Sequence, residues 1–147
     1  MPIKSFRGKI ADGAIDTVSL HTNNGSIGYR IKKFELVTHN PGGANAEHVV
    51  KLFTVPQTTV DNLIDFSDQT LLGVGLATNA ATGYGSFYNE RIIFDNMTFN
   101  QDIFIAHHEN HSSEAVNYYI ELEQITLDLN ENTVATLKDI RNVSGPT

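Results

Sequence analysis

The chain has 147 residues with ten Lys+Arg against seventeen Asp+Glu, a formal net charge of −7, and neither Cys nor Trp. That length suits one domain, since domains commonly run to roughly 100–200 residues. Such a chain buries roughly 68–70% of its unfolded surface and needs no staple, so residues 1–147 are expected to form a single domain. Without cysteine there is no disulfide framework, thiolate metal site or cysteine nucleophile. The negative balance argues against a sequence-independent grip on nucleic acid or on an anionic membrane. No apolar run approaches the roughly 18 residues of a membrane-spanning helix. The start, Met1-Pro2-Ile3-Lys4-Ser5-Phe6-Arg7, lacks the apolar run of a signal peptide. The expectation is therefore a protein made in a cytoplasm, with the sequons at Asn96, Asn110 and Asn142 as chance matches.

Period-2 alternation with β-branched and aromatic residues runs through the chain. Residues 3–10 read as a first strand and 15–21, after Asp12-Gly13, as a second. Asn23-Asn24-Gly25 predicts a hairpin turn into a third strand over 27–38. In that strand the apolar phase changes from Ile27, Tyr29 and Ile31 to Phe34 and Leu36. An extra residue at Lys32-Lys33 accounts for the slip, which predicts a β-bulge. Asn40-Pro41-Gly42-Gly43 is a turn. Residues 47–55 form a strand closed by Pro56, which has no ladder donor. Residues 58–67 read as an irregular connection with at most a short helical turn, 70–76 as a buried strand, and 78–86 as an exposed loop. Residues 87–94, 101–107 and 118–129 are further strands. In the last, Tyr118, Ile120 and Leu122 share one face and Ile125, Leu127 and Leu129 the other. This predicts a bulge near Glu123 or a strand bending between sheets. Residues 130–147 read as a short helix or extended tail. Eight or nine strands without long helices predict an all-β, antiparallel, jelly-roll-like β-sandwich.

The sharpest chemical cluster is His107-His108-Glu109-Asn110-His111 with Glu114. His and carboxylate ligands suit a transition metal, but adjacent strand residues face opposite ways, and a polar loop between strands is the reading adopted. Glu121 and Glu123 lie roughly 7 Å apart on one strand face, a spacing open to glycosidase chemistry, and read as a solvated face. Asp61, Asp65 and Asp68, like Asp12 and Asp16, lack the spacing of a calcium loop and read as turn formers. Gly73-Val74-Gly75 lacks the third glycine and the helix of a dinucleotide loop. No nucleophile elbow, P-loop or His-Glu-x-x-His motif occurs, so no enzyme activity, cofactor or metal is expected. Lys4, Arg7 and Lys9 share the first strand with Phe6, and Arg30, Lys32 and Lys33 share the third. These six are candidates for partner binding, against the alternative of edge charges that block aggregation. Tyr84, Phe87 and Tyr88, flanking a small-residue loop, are further contact candidates.

Six segments stand out together: Ile3-Lys4-Ser5-Phe6-Arg7-Gly8, Gly28-Tyr29-Arg30-Ile31-Lys32-Lys33-Phe34, Phe66-Ser67-Asp68-Gln69-Thr70-Leu71-Leu72-Gly73, Phe99-Asn100-Gln101-Asp102-Ile103-Phe104, Asn117-Tyr118-Tyr119-Ile120-Glu121-Leu122-Glu123 and Leu137-Lys138-Asp139-Ile140-Arg141-Asn142. Together they resemble small virion structural proteins of tailed, particularly marine, bacteriophages. The resemblance implies a non-enzymatic virion component, a capsid decoration protein first and a tail or neck component second. Its implied partners are other virion proteins, such as the major capsid protein, and itself as a homo-oligomer. A carbohydrate-binding module contacting the host is a further reading, weakened by the absence of Trp. Another is a small cupin-like hydrolase or isomerase using His107 and His111.

Overall fold

The computed structural model describes residues 2–21, 26–80, 89–94 and 98–128. Eight strands occur among them: β1 (Ile3–Ile10), β2 (Ile15–Val18), β3 (Ile27–Thr38), β4 (Ala46–Phe53), β5 (Leu71–Asn79), β6 (Asn89–Ile93), β7 (Ile103–Glu109) and β8 (Val116–Thr126). They make a three-stranded sheet, β1-β8-β3, and a five-stranded sheet, β2-β7-β4-β5-β6. Every ladder is antiparallel. The all-β antiparallel sandwich read from the alternation is therefore what the chain forms. Residues 130–147 and the loop carrying Tyr84, Phe87 and Tyr88 lie outside the described residues.

The Lys32 bulge is present. Ile31 pairs with Leu122 and Lys33 with Glu121, so two steps on β3 match one on β8. The extra residue keeps Tyr29 and Phe34, of opposite parity, both in the core at 3% and 1% exposure. Two local readings are corrected. No hairpin joins β2 to β3: β2 pairs with β7, and β3 lies in the other sheet beside β8. The turn residues 23–25 themselves are outside the described set. β2 and β3 belong to different sheets, and turn-forming residues in a sequence are as compatible with that as with a hairpin. Nor does β8 carry its own bulge or change sheets. It runs unbroken between β1 and β3, and the shift in its ladder belongs to β3. Leu127 is buried after the strand has ended, packed over Gly28, where an added Cβ would stand 3.1 Å from the leucine methyls.

The core lies between the sheets. Leu52, Ile103, Ile105, Ile120 and Leu122 are fully shielded, and each such side chain gains about 1.5–3 kcal/mol from leaving water. The sheets approach closely at Gly75, where an added Cβ would lie 2.6 Å from Leu36 Cδ1 and 2.9 Å from Phe34 Cε2. This is the physical reason for a glycine that reads, in sequence, like part of a nucleotide loop. The outer face of the five-stranded sheet is apolar as well. Phe53, Leu71, Val74 and Ala106 cluster there with Val60 packed on them. Val60 belongs to the irregular connection between β4 and β5, which forms no helix. Asp61, Asp65 and Asp68 shape that connection by accepting the N–H of Leu63, Ser67 and Thr70, two residues ahead, at 2.9–3.1 Å. They are turn formers, as read.

Candidate interaction surface

The six cations singled out in the sequence converge on the three-stranded sheet, from both of its edge strands. Arg7 and Lys9 on β1 flank the central β8 on one side, Arg30, Lys32 and Lys33 on β3 flank it on the other. Register aligns them in rows across the outer face. Ile3, Glu123 and Arg30 form one row, Ser5, Glu121 and Lys33 the next, then Arg7, Tyr119 and Glu35. Glu123 is the shared counter-charge of Arg30 (3.5 Å) and Lys32 (3.7 Å). Glu121 accepts the Tyr119 hydroxyl at 2.7 Å, and the Tyr119 phenol is raised by that bond first.. Glu35 is paired with Arg91 at 3.1 Å. Arg7, Lys9 and Lys33 have no salt-bridge partner among the described residues. A shallow depression of about 470 Å³ lies beside them, lined by Arg7, Lys9, Glu35, Val37, Asn117 and Tyr119 among others.

Lys4 departs from the group. It is on the Phe6 side of β1, opposite to Arg7 and Lys9, and its ammonium sits 5.9 Å above the Tyr29 ring, a cation–π contact. Glu121 and Glu123 do share a strand face, but its neighbours are lysines, arginines and a tyrosine rather than a cleft.

The histidine cluster is not the polar loop that its sequence suggests. β7 continues to Glu109, which places His107 wholly in the interior and Glu109 at 4% exposure. His107 and His111 are not brought together: His111 is on the surface, 3.6 Å from Glu47. His107 meets His48 instead, Nε2 to Nδ1 at 2.9 Å. The tautomers follow from the partners. His107 Nδ1 lies 3.1 Å from the carbonyl oxygens of Ile10 and Ala11. Carbonyls only accept, so Nδ1 carries the proton, and Nε2 accepts from His48 Nδ1–H. His48 Nε2 is then a buried lone pair with no hydrogen-bond partner among the described residues. Burial, and next the neighbouring His107, lower His48 to about 4, against the opposing pull of Glu109 and Asp12. His107 is lowered too, by burial first. His48 was missed in the sequence, although it shares parity with Val50 and Leu52, the inward residues of β4.

Glu109 organises the loop that follows. It accepts the N–H groups of Glu47 and His111 on Oε1 and those of Ser112 and Ser113 on Oε2, at 2.6–2.9 Å. Burial alone would raise its carboxyl, but these four bonds bring it down to about 2. Ser113 is held at φ 58, a left-handed conformation that an ordinary side chain resists. Asp12 caps the same region through the Glu109 N–H at 2.8 Å. Among the described residues no group of three or more His, Cys, Asp or Glu is placed to hold a metal ion.

No protein-family model matches the sequence, and no curated protein matches it.

Proposed function

We propose that this protein is a non-enzymatic structural module that works through protein–protein contacts, with the outer face of the three-stranded sheet as its docking face. The observation that supports this reading is the gathering of Arg7, Lys9, Arg30, Lys32 and Lys33 on that one face of an otherwise acidic chain. Arg7, Lys9 and Lys33 there are left without carboxylate partners among the described residues. With five cations against Glu35, Glu121 and Glu123, the face keeps an excess of positive charge, and such an excess steers encounter with an oppositely charged surface. The finer proposal is a bacteriophage virion component, a capsid decoration protein foremost, binding other virion proteins and assembling as a homo-oligomer. It rests on the sequence resemblance. A jelly-roll-like sandwich suits it, and the pairing of β1 with β8 and β2 with β7 is in keeping with such a roll.

The test is incorporation into particles. Wild-type chain and a variant carrying Arg7→Glu, Lys9→Glu and Lys33→Glu are produced during infection, and purified virions are assayed for each. The proposal expects wild-type incorporation and strong loss in the variant, whose folding is checked by circular dichroism. Absence of the wild-type chain from virions removes the virion reading. Equal incorporation of both removes the docking face.

A further inference from the structure

We propose that β1 is a docking edge, which takes an extended acidic segment of a partner protein as an added strand. The inference rests on the docking-face reading above and specifies the partner's chemistry.

The free backbone groups of β1 are identified by its ladder. Gln124 N–H donates to the Pro2 carbonyl at 2.8 Å, and the register then runs Ile3 to Glu123, Lys4 to Leu122 and onward. Hydrogen-bonded and non-bonded pairs alternate in an antiparallel ladder. Lys4, Phe6, Gly8 and Ile10 therefore direct their peptide groups to β8, and Ile3, Ser5, Arg7 and Lys9 direct theirs outward. The other edge of the sheet is differently treated. On β3, Tyr29 exchanges both backbone bonds with Phe99, at 2.8 and 3.0 Å, and the Leu36 carbonyl accepts from Asn89 Nδ2 at 3.0 Å. The outward groups of Ser5, Arg7 and Lys9 have no backbone partner among the described residues. An eight-residue strand with an open edge is a template for another strand.

The side chains select what is added. β1 carries Lys4, Arg7 and Lys9 and no acid, and none of the three has a salt-bridge partner among the described residues. A second copy of β1 would bring six cations together across a gap of about 4.8 Å, where like charges are unfavourable. An unlike strand fits. Acids two residues apart would stand beside Arg7 and Lys9 on the outer face. The alternate residues would lie beside Phe6 and Gly8 on the inner side, where an apolar side chain extends the packing of Phe6 against the core. The partner segment is thus an alternating acidic and apolar stretch.

The experiment titrates the full 15N-labelled chain with a capped peptide of alternating glutamate and valine, and with its lysine–valine counterpart. Saturable shifts confined to β1, with slowed amide exchange at Ser5, Arg7 and Lys9, are expected for the acidic peptide only. Ser5→Pro removes an outward N–H and leaves the β8 ladder intact, as proline is tolerated on an edge strand. It should weaken binding roughly tenfold, as the loss of one hydrogen bond does. Arg7→Glu with Lys9→Glu should weaken it at least as much. If Ser5→Pro, shown folded by its spectrum, binds as the wild type does, strand addition is wrong while the docking face stands. If neither peptide binds, or both bind alike, the cations only guard the edge against self-association and the proposal fails. Loss of particle incorporation tests the docking face separately, so the two failures are distinguishable.

Discussion

The buried His48–His107 pair makes the fold acid-labile in a defined window. In the unfolded chain His48 titrates near its ordinary value of 6.5; in the fold it is lowered to about 4. The unfolded state therefore binds the proton first as pH falls. Stability is whole above about pH 6.5 and drains away toward about pH 4. Between about pH 7 and about pH 4.5 the loss from His48 alone is about 2 kcal/mol, and it approaches about 3 kcal/mol below its folded value. His107 adds to it in the same direction. Glu109 acts lower: held at about 2 against 4.5, its contribution is present above about pH 4.5 and lost on the way to about pH 2. The perturbation is His48→Asn, whose amide can still donate to His107 Nε2 but accepts no proton. Smaller than imidazole, it leaves a void and costs about 1–2 kcal/mol at neutral pH. Urea unfolding followed by circular dichroism across the pH range is the assay. The His48 share of the acid loss should vanish in the variant. A variant that retains the full slope between about pH 7 and about pH 4.5 would refute the assignment.

Two further outcomes are expected. Gly75→Ala drives a methyl into Leu36 and Phe34, whose nearest atoms are 2.6 and 2.9 Å from the new Cβ. Forcing the sheets apart should lower stability by about 1–3 kcal/mol in denaturant titration, and an unchanged midpoint would contradict the close approach. Glu109→Gln weakens the charge-assisted bonds that gather four backbone N–H groups. A loss of about 1–3 kcal/mol is expected, with faster amide exchange at His111, Ser112 and Ser113; unaltered exchange would show that the carboxylate does not order the loop.

The sheets were legible where one side of a strand faces the core and the other faces water. β1 and β3 carry that contrast, and the slip at Lys32 was readable because Tyr29 and Phe34 both require burial. The five-stranded sheet was less legible because its outer face is covered. β4 is buried at every position after Glu47, and Lys51 is accommodated there by donating to Asp61 at 3.0 Å and to the Leu63 carbonyl at 2.7 Å, with its ammonium 5.8 Å from the Phe53 ring centre. Nothing local in residues 54–70 announces that they fold back over the sheet. Sheet membership was equally hidden: Asn23-Asn24-Gly25 marks a change of direction but not whether β3 pairs with β2. The cationic face could be named residue by residue, yet the convergence of β1 and β3 on β8 depends on pairings 78 to 120 residues apart in sequence. His48 and His107, 59 positions apart, are likewise brought together only by the long-range pairing of β4 with β7.

The most direct test of the docking face is cross-linking of intact purified virions with an amine-reactive reagent, followed by mass spectrometry of the digested particles. Lys9 and Lys33 stand on the proposed face, from opposite edges of the sheet, and Lys51 lies buried on the other sheet as an internal control. The account predicts cross-links from Lys9 and Lys33 to a second virion protein and none from Lys51. A chain absent from the particles, or present with Lys9 and Lys33 unlinked to any partner, would contradict it.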